Sequence, residues 1–203
     1  RSSDLISPAE AIPILEESGL IIPVGKWIIQ NAFSMCTECR KYYPEFRVSI
    51  NLSYVQILKS PLMMELKQMI DHSGISCSGI IVELTESGYL EGTPAVRSVW
   101  NDMKQLRIQI ALDDFGTGYS NLMNISNLEP DIVKLDRGFT LKALSRSYEY
   151  QLMQYVIEMV HKLNQYVCVE GVETKEDLEK IKALGPDLIQ GYYYSKPCSR
   201  NEF

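Results

Sequence analysis

No stretch of about 18 consecutive apolar residues occurs in the 203-residue chain, so no membrane-spanning helix is expected within it. Its first residues carry no signal-peptide pattern. A basic excess is also lacking. Twenty Lys and Arg stand against 26 Asp and Glu, a net charge of −6. That balance argues against a nucleic-acid binder held mainly by a basic surface, and so against DNA as a partner. Histidine is scarce: His72 and His161 lie in or at the ends of helical patterns, and neither has a partner at metal-ligand spacing. The cysteines number five, an odd count in a chain of ordinary size, which favours the reducing cytoplasm over a disulfide scaffold. Cys36 and Cys39 form C-x-x-C inside a helical pattern with no second pair at zinc spacing, so both thiols read as structural packing. Gly/Ser linkers and low-complexity segments are missing too, and a 45% apolar content suffices for one core, so residues 1–203 read as a single domain.

What the chain does contain is an alternation of short β-rich runs and longer helical patterns. The helical patterns cover 8–18, 23–43, 55–72, 93–106, about 140–164 and 175–184. Pro8, Pro23 and Pro94 sit where a first helical turn tolerates proline. The strand-like runs are "FRVSIN" (46–51), "GIIVEL" (79–84), "IQIALD" (108–113), "DIVKLD" (131–136), "YVCVE" (166–170) and "DLIQ" (187–190). Most carry a continuous apolar core, as strands buried on both faces do, and the alternation implies βαβ units with a parallel sheet.

Each run ends on a polar residue: Asn51, Glu83, Asp113, Lys134 with Asp136, Glu170 and Gln190. Polar groups at the C-terminal ends of several parallel strands mark the active-site face of a β/α-barrel, whereas an open doubly wound sheet concentrates its site at one switch point. The fold class is therefore α/β, a TIM-like β/α-barrel. Six strands are visible where a closed barrel takes eight and about 250 residues, so the barrel is expected to be N-terminally truncated, with its first two strands missing.

On such a face Asn51, Glu83, Glu86, Asp113, Asp114, Asp136, Glu170 and Glu173 would surround Lys134. Seven carboxylates around one lysine cannot all be ionised in a dry pocket without metal ions. The all-oxygen donor set suits Mg²⁺ or Mn²⁺, and a pair of such ions is the usual arrangement for attack on a phosphodiester. Any one of Asp113, Asp114 and Asp136 could instead be a helix N-cap; the collective pattern favours a site. "DDFG" also contains the magnesium-binding D-F-G of protein kinases, but no Gly-rich loop or H-R-D loop precedes it. The tyrosines of "GYYYSKP" are placed to pack the last strand or to face a base.

The motifs "ISPAEAIPILEESGLI" (6–21), "VSINLS" (48–53), "VELTES" (82–87), "LDDFGTGYSNL" (112–122), "VKLDRGF" (133–139), "VEGVET" (169–174) and "QGYYYSKP" (190–197) run in order across nearly the whole chain. Together they resemble the EAL-domain phosphodiesterases, which hydrolyse the bacterial messenger cyclic di-GMP to the linear dinucleotide. The resemblance implies a β/α-barrel of which residues 1–203 are the C-terminal six βα units. It assigns metal ligands to Asn51, Glu83, Asp113 and Asp114, the general base to Glu170 and the catalytic lysine to Lys134. Glu86, Asp136, Glu173 and Gln190 match supporting or substrate-binding positions, Glu86 by holding the loop after the paired aspartates. It further implies two Mg²⁺ or Mn²⁺ ions, cyclic di-GMP as the ligand, a homodimer, and sensory or cyclase modules as companions in the parent chain.

The chain departs from the family in three places. The E-A-L glutamate, a metal ligand, and its strand are not in the sequence; Ala11 stands where Phe is common; Gly138 replaces a commoner Ser. The 203 residues alone are therefore expected to turn over little and to expose sheet edges. The alternative reading is an inactive member serving as a cyclic di-GMP receptor. A barrel enzyme stabilising an enolate with Lys and Mg²⁺ is more remote.

Overall fold

The computed structural model describes residues 6–85, 93–117, 128–200 and 202–203. It divides into two compact units, Arg1–Leu84 with Gly88–Ile110, and Thr85–Ser87 with Ala111–Phe203. Strands neighbouring in the sheet within each unit are also neighbours in the chain, and every ladder described is parallel. Where the connections are described, helical crossovers of the βαβ kind produce this order.

The first unit opens with α1 (Pro8–Ser18) and α2 (Ile21–Cys39), followed by β1 (Val48–Asn51), α3 (Tyr54–Lys59), α4 (Leu62–Ser73), β2 (Ile80–Thr85) and α5 (Pro94–Gln105). α2 buries Ile21, Gly25, Ile29, Phe33 and Cys36, a three-to-four-residue spacing that lays one stripe against α3, α4 and β1. The pattern at 55–72 is two helices, not one. Pro61 pushes Ser60 into extended geometry (φ −134°, ψ 159°) and ends α3 there. Ser53 starts α3 with a capping box completed by Gln56.

The second unit carries most of β3 (Gln109–Phe115), then β4 (Ile132–Leu135), α6 (Arg137–Ser145), α7 (Ser147–Lys162), β5 (Tyr166–Val169), α8 (Lys175–Lys182) and β6 (Leu188–Ile189). All four residues of β4 are buried, as a strand covered on both faces requires. The helical pattern near 140–164 also divides, because Arg146 adopts extended geometry (φ −139°, ψ 130°) between α6 and α7. Met153, Ile157 and Val160 of α7 are buried, and this face packs on β5.

Among the described residues no helix is long and apolar enough to cross a membrane. The five cysteines are unpaired to one another as thiols, and the C-x-x-C pair is helix packing as expected. Cys36 is fully buried, its Sγ directed to the carbonyls of Gly79 and Phe46. Burial pushes its thiol above the ordinary cysteine value, against the opposing pull of Arg40. A thiol-reactive dye at pH 8 should therefore label Cys198 in the folded protein and reach Cys36 and Cys168 only in denaturant. Rapid native labelling of Cys36 would contradict this packing.

Candidate active site

In the first unit, β1 and β2 run in register with Asn51 opposite Glu83. Partners across a parallel ladder face the same side, and period two adds Ser49 to that side. The Ser49 hydroxyl donates to Glu83 Oε1, and the Glu83 carbonyl accepts from the Leu52 N–H at 3.0 Å. Glu83 is only 6% exposed, whereas Asn51 is open to solvent. Two residues on, Ser53 donates to Glu16 Oε1 at 2.6 Å while its oxygen caps α3, so the strand end is fixed by a polar chain.

The second unit explains the paired aspartates. Ala111 and Leu112 of β3 face Ile132 and Val133 of β4, but Phe115 rather than Asp114 faces Leu135. One extra residue has entered β3, a β-bulge that puts Asp113 and Asp114 opposite Lys134 alone. Without the bulge Asp114 would share the apolar side with Leu135. With it, buried Phe115 takes that place and Asp114 lies exposed. The backbone cost is a left-handed Asp114 (φ +61°), a conformation aspartate adopts more readily than most residues. Its N–H donates to Asp113 Oδ1 at 3.0 Å.

Lys134 is 5% exposed and forms the centre of the cluster. Its Nζ lies 3.2 Å from Asp113 Oδ1 and 2.6 Å from Glu170 Oε1. Burial alone disfavours an ammonium, and the two carboxylates offset that cost. Register brings them there: Lys134 faces Cys168 across the β4–β5 ladder, and Glu170 is two residues beyond Cys168, on the same side. The Glu170 N–H continues the ladder to the Leu135 carbonyl at 3.1 Å.

The supporting positions divide. Asp136 is the N-cap of α6, its Oδ1 accepting from the Gly138 N–H at 2.7 Å, so its carboxylate does the structural work that a strand-end aspartate often does. Glu173 pairs with Arg137 at 2.7 Å. Gln190 follows β6; its N–H reaches the Val169 carbonyl and its carbonyl accepts from Val172. Glu170, Glu173 and Gln190 line a cleft of about 420 Å³ together with Arg137, Gly171, Gly191 and Tyr192. Glu86 lies outside the described residues. Sequence reasoning missed Ser49 and Arg137, although period two from Asn51 and a three-residue step from Lys134 were available signals.

Among the described residues of either unit no three Asp, Glu, His or Cys side chains stand together as a metal centre. The donor chemistry at the ends of the described strands still fits a hard cation: carboxylates and amide oxygens, with no thiolate or imidazole.

An EAL domain family model matches residues 1–197. Cyclic di-GMP phosphodiesterase PdeF of Escherichia coli K12 is 31% identical over 197 residues, 97% of this chain and 26% of that protein. The chain thus spans about a quarter of that relative's length. The solved structure of PaMucR phosphodiesterase in complex with c-di-GMP aligns over 97% of this chain and 80% of the other, at 26% identity and a TM-score of 0.89. The EAL enzyme Bd1971, in its cAMP- and cyclic-di-GMP-bound form, aligns over 98% and 55% at 29% identity and a TM-score of 0.91. The fold class is accordingly the TIM-like β/α-barrel expected from the strand ends.

Replacing the central cation tests the cluster. Lys134→Met should cost about 3 kcal/mol at pH 8, the scale of breaking a buried ion pair. Urea unfolding at pH 8 in EDTA measures this. A loss below about 1 kcal/mol, the scale of an exposed pair, would contradict the assigned pairing.

Proposed function

The chain belongs to the EAL domain family, and from that premise we propose that it is the divalent-metal-dependent phosphodiesterase region of a protein that hydrolyses cyclic di-GMP to the linear dinucleotide. The observation that carries this reading is the Asp113–Lys134–Glu170 cluster, in which a buried cation and a partly exposed carboxylate share one strand-end face. Two relatives with phosphodiesterase in their names support the substrate class.

In this reading Asn51, Glu83, Asp113 and Asp114 hold the ions, Mg²⁺ or Mn²⁺. When bound, these supply a water of lowered pKa and polarise the phosphoryl oxygens. Glu170 accepts the proton of the attacking water, and its 2.6 Å contact with Lys134 orients its carboxylate. Lys134 counters the negative charge that builds on the phosphate. The bulge presents Asp114 to solvent, free of the apolar layer beneath it. Ser49 holds Glu83 by a hydroxyl hydrogen bond, which limits the rotamers open to that ligand. Glu173 and Gln190 belong to the cleft wall, and Asp136 contributes by fixing the first turn of α6.

The intact protein should convert cyclic di-GMP to the linear product with Mg²⁺, lose turnover in EDTA and regain it when Mg²⁺ is restored. Glu170→Gln should lower kcat by about 10²–10⁴-fold, the range of general acid–base catalysis. Product analysis by chromatography decides the matter. Tight binding of cyclic di-GMP with no product from either protein would contradict the enzyme reading and make the chain a receptor.

A further inference from the structure

The polar contacts of the second unit repeat at one spacing. Lys134 and Arg137 are three residues apart where the chain leaves β4, and Glu170 and Glu173 are three apart where it leaves β5. The two steps meet rung by rung. Lys134 Nζ lies 2.6 Å from Glu170 Oε1; Arg137 donates from Nη2 at 2.7 Å and from Nε at 3.2 Å to Glu173 Oε1. Arg137 is the first residue of α6, and the Asp136 cap fixes the turn that carries it.

Between the rungs the arginine stem lies directly on backbone. Gly171 has φ +78°, and a Cβ there would stand 2.3 Å from Arg137 Cγ and 3.1 Å from its Cα. Only glycine permits both the conformation and the approach. On the far side the segment is gripped by the turn after β6. Val172 exchanges backbone hydrogen bonds with Gln190 and Tyr193, and a Cβ on Gly191 would lie 2.0 Å from the Val172 carbonyl oxygen.

We propose that Arg137 is a positioning residue for Glu170: by holding Glu173 and overlying Gly171 it fixes the 170–173 segment and keeps the Glu170 carboxylate beside Lys134. The inference rests on the reading of Glu170 as the base. Magnitudes separate positioning from plain stabilisation. The Arg137 side chain is 57% exposed and that of Glu173 40%, and exposed pairs add little to stability. A misplacement of about 1 Å at a reacting group, by contrast, costs about 10²-fold in rate. Glu173 also holds the guanidinium above its ordinary value, first through the hydrogen bond and then through charge.

The test is steady-state hydrolysis of cyclic di-GMP with Mg²⁺ by the intact protein, together with crystal structures of the variants. Arg137→Gln and Glu173→Gln should each lower kcat by about 10- to 100-fold with KM within about twofold. The double variant should be no worse than either single one, and Arg137→Lys should recover part of the loss. The urea midpoint should stay at the wild-type value. Lys180→Gln, which removes another exposed pair of the same unit, should leave kcat unchanged. In the Arg137→Gln structure Glu170 should be displaced from Lys134; retention of that contact overturns the inference whether or not the protein turns over. Wild-type kcat in Arg137→Gln, additive losses in the double variant, or a rise in KM alone overturns it while leaving Glu170 as the base. Full turnover by Glu170→Gln removes the base assignment and the inference with it.

Discussion

A buried ammonium is the constraint on which the second unit depends. Lys134 sits in a strand whose four residues are all buried, and no charged group persists there without partners. Its partners must come from the strands on either side, and at heights along the sheet that match its own. Parallel β3, β4 and β5 in chain order supply both: Asp113 from one flank and Glu170 from the other. The neighbouring side chains of β4, Val133 and Leu135, point the opposite way into the apolar layer, so the strand serves core and site by parity alone.

The bulge in β3 resolves a conflict between that parity and a pair of adjacent acids. A regular strand would direct Asp113 towards Lys134 and Asp114 towards the apolar layer, where a carboxylate is costly. Inserting one residue moves Phe115 into the layer and leaves Asp114 in the open at the price of one left-handed backbone residue. The same economy of backbone recurs after β5, where Gly171 lets an arginine stem cross the chain. Around the site, local rules are broken at the residues that carry its geometry, and the surrounding ladder over-determines them.

Much of this was legible in the sequence, for physical reasons that differ by residue. Apolar runs ending on Asn51, Glu83, Asp113, Lys134 and Glu170 announce parallel strands with a polar end, because strands buried on both faces have nowhere else to place a charge. The break at Pro61 was equally readable, since proline restricts the residue before it, yet the apolar spacing on both sides suggested one helix. The break at Arg146 carries no proline or glycine, so nothing in the local sequence announces it. The bulge was illegible because it is a property of pairing: nothing in "ALDDF" says which residue of β3 will face Leu135. Ser49 and Arg137 stand at readable spacings from Asn51 and Lys134, but what they bind is not local. Their partners, Glu83 and Glu173, lie 34 and 36 residues away, joined by register rather than by local pattern.

In the proposed function the two aspartates share a strand end because cations accept their charge, Lys134 at Asp113 and divalent ions at both. The most direct measurement is anomalous diffraction from crystals of the intact protein grown with saturating Mn²⁺. Anomalous density is expected within about 2.0–2.6 Å of carboxylate oxygens from both Asp113 and Asp114, the span of hard-cation coordination distances. Absence of such density at both aspartates, with Lys134 still paired, would contradict it and leave the bulge serving the lysine alone.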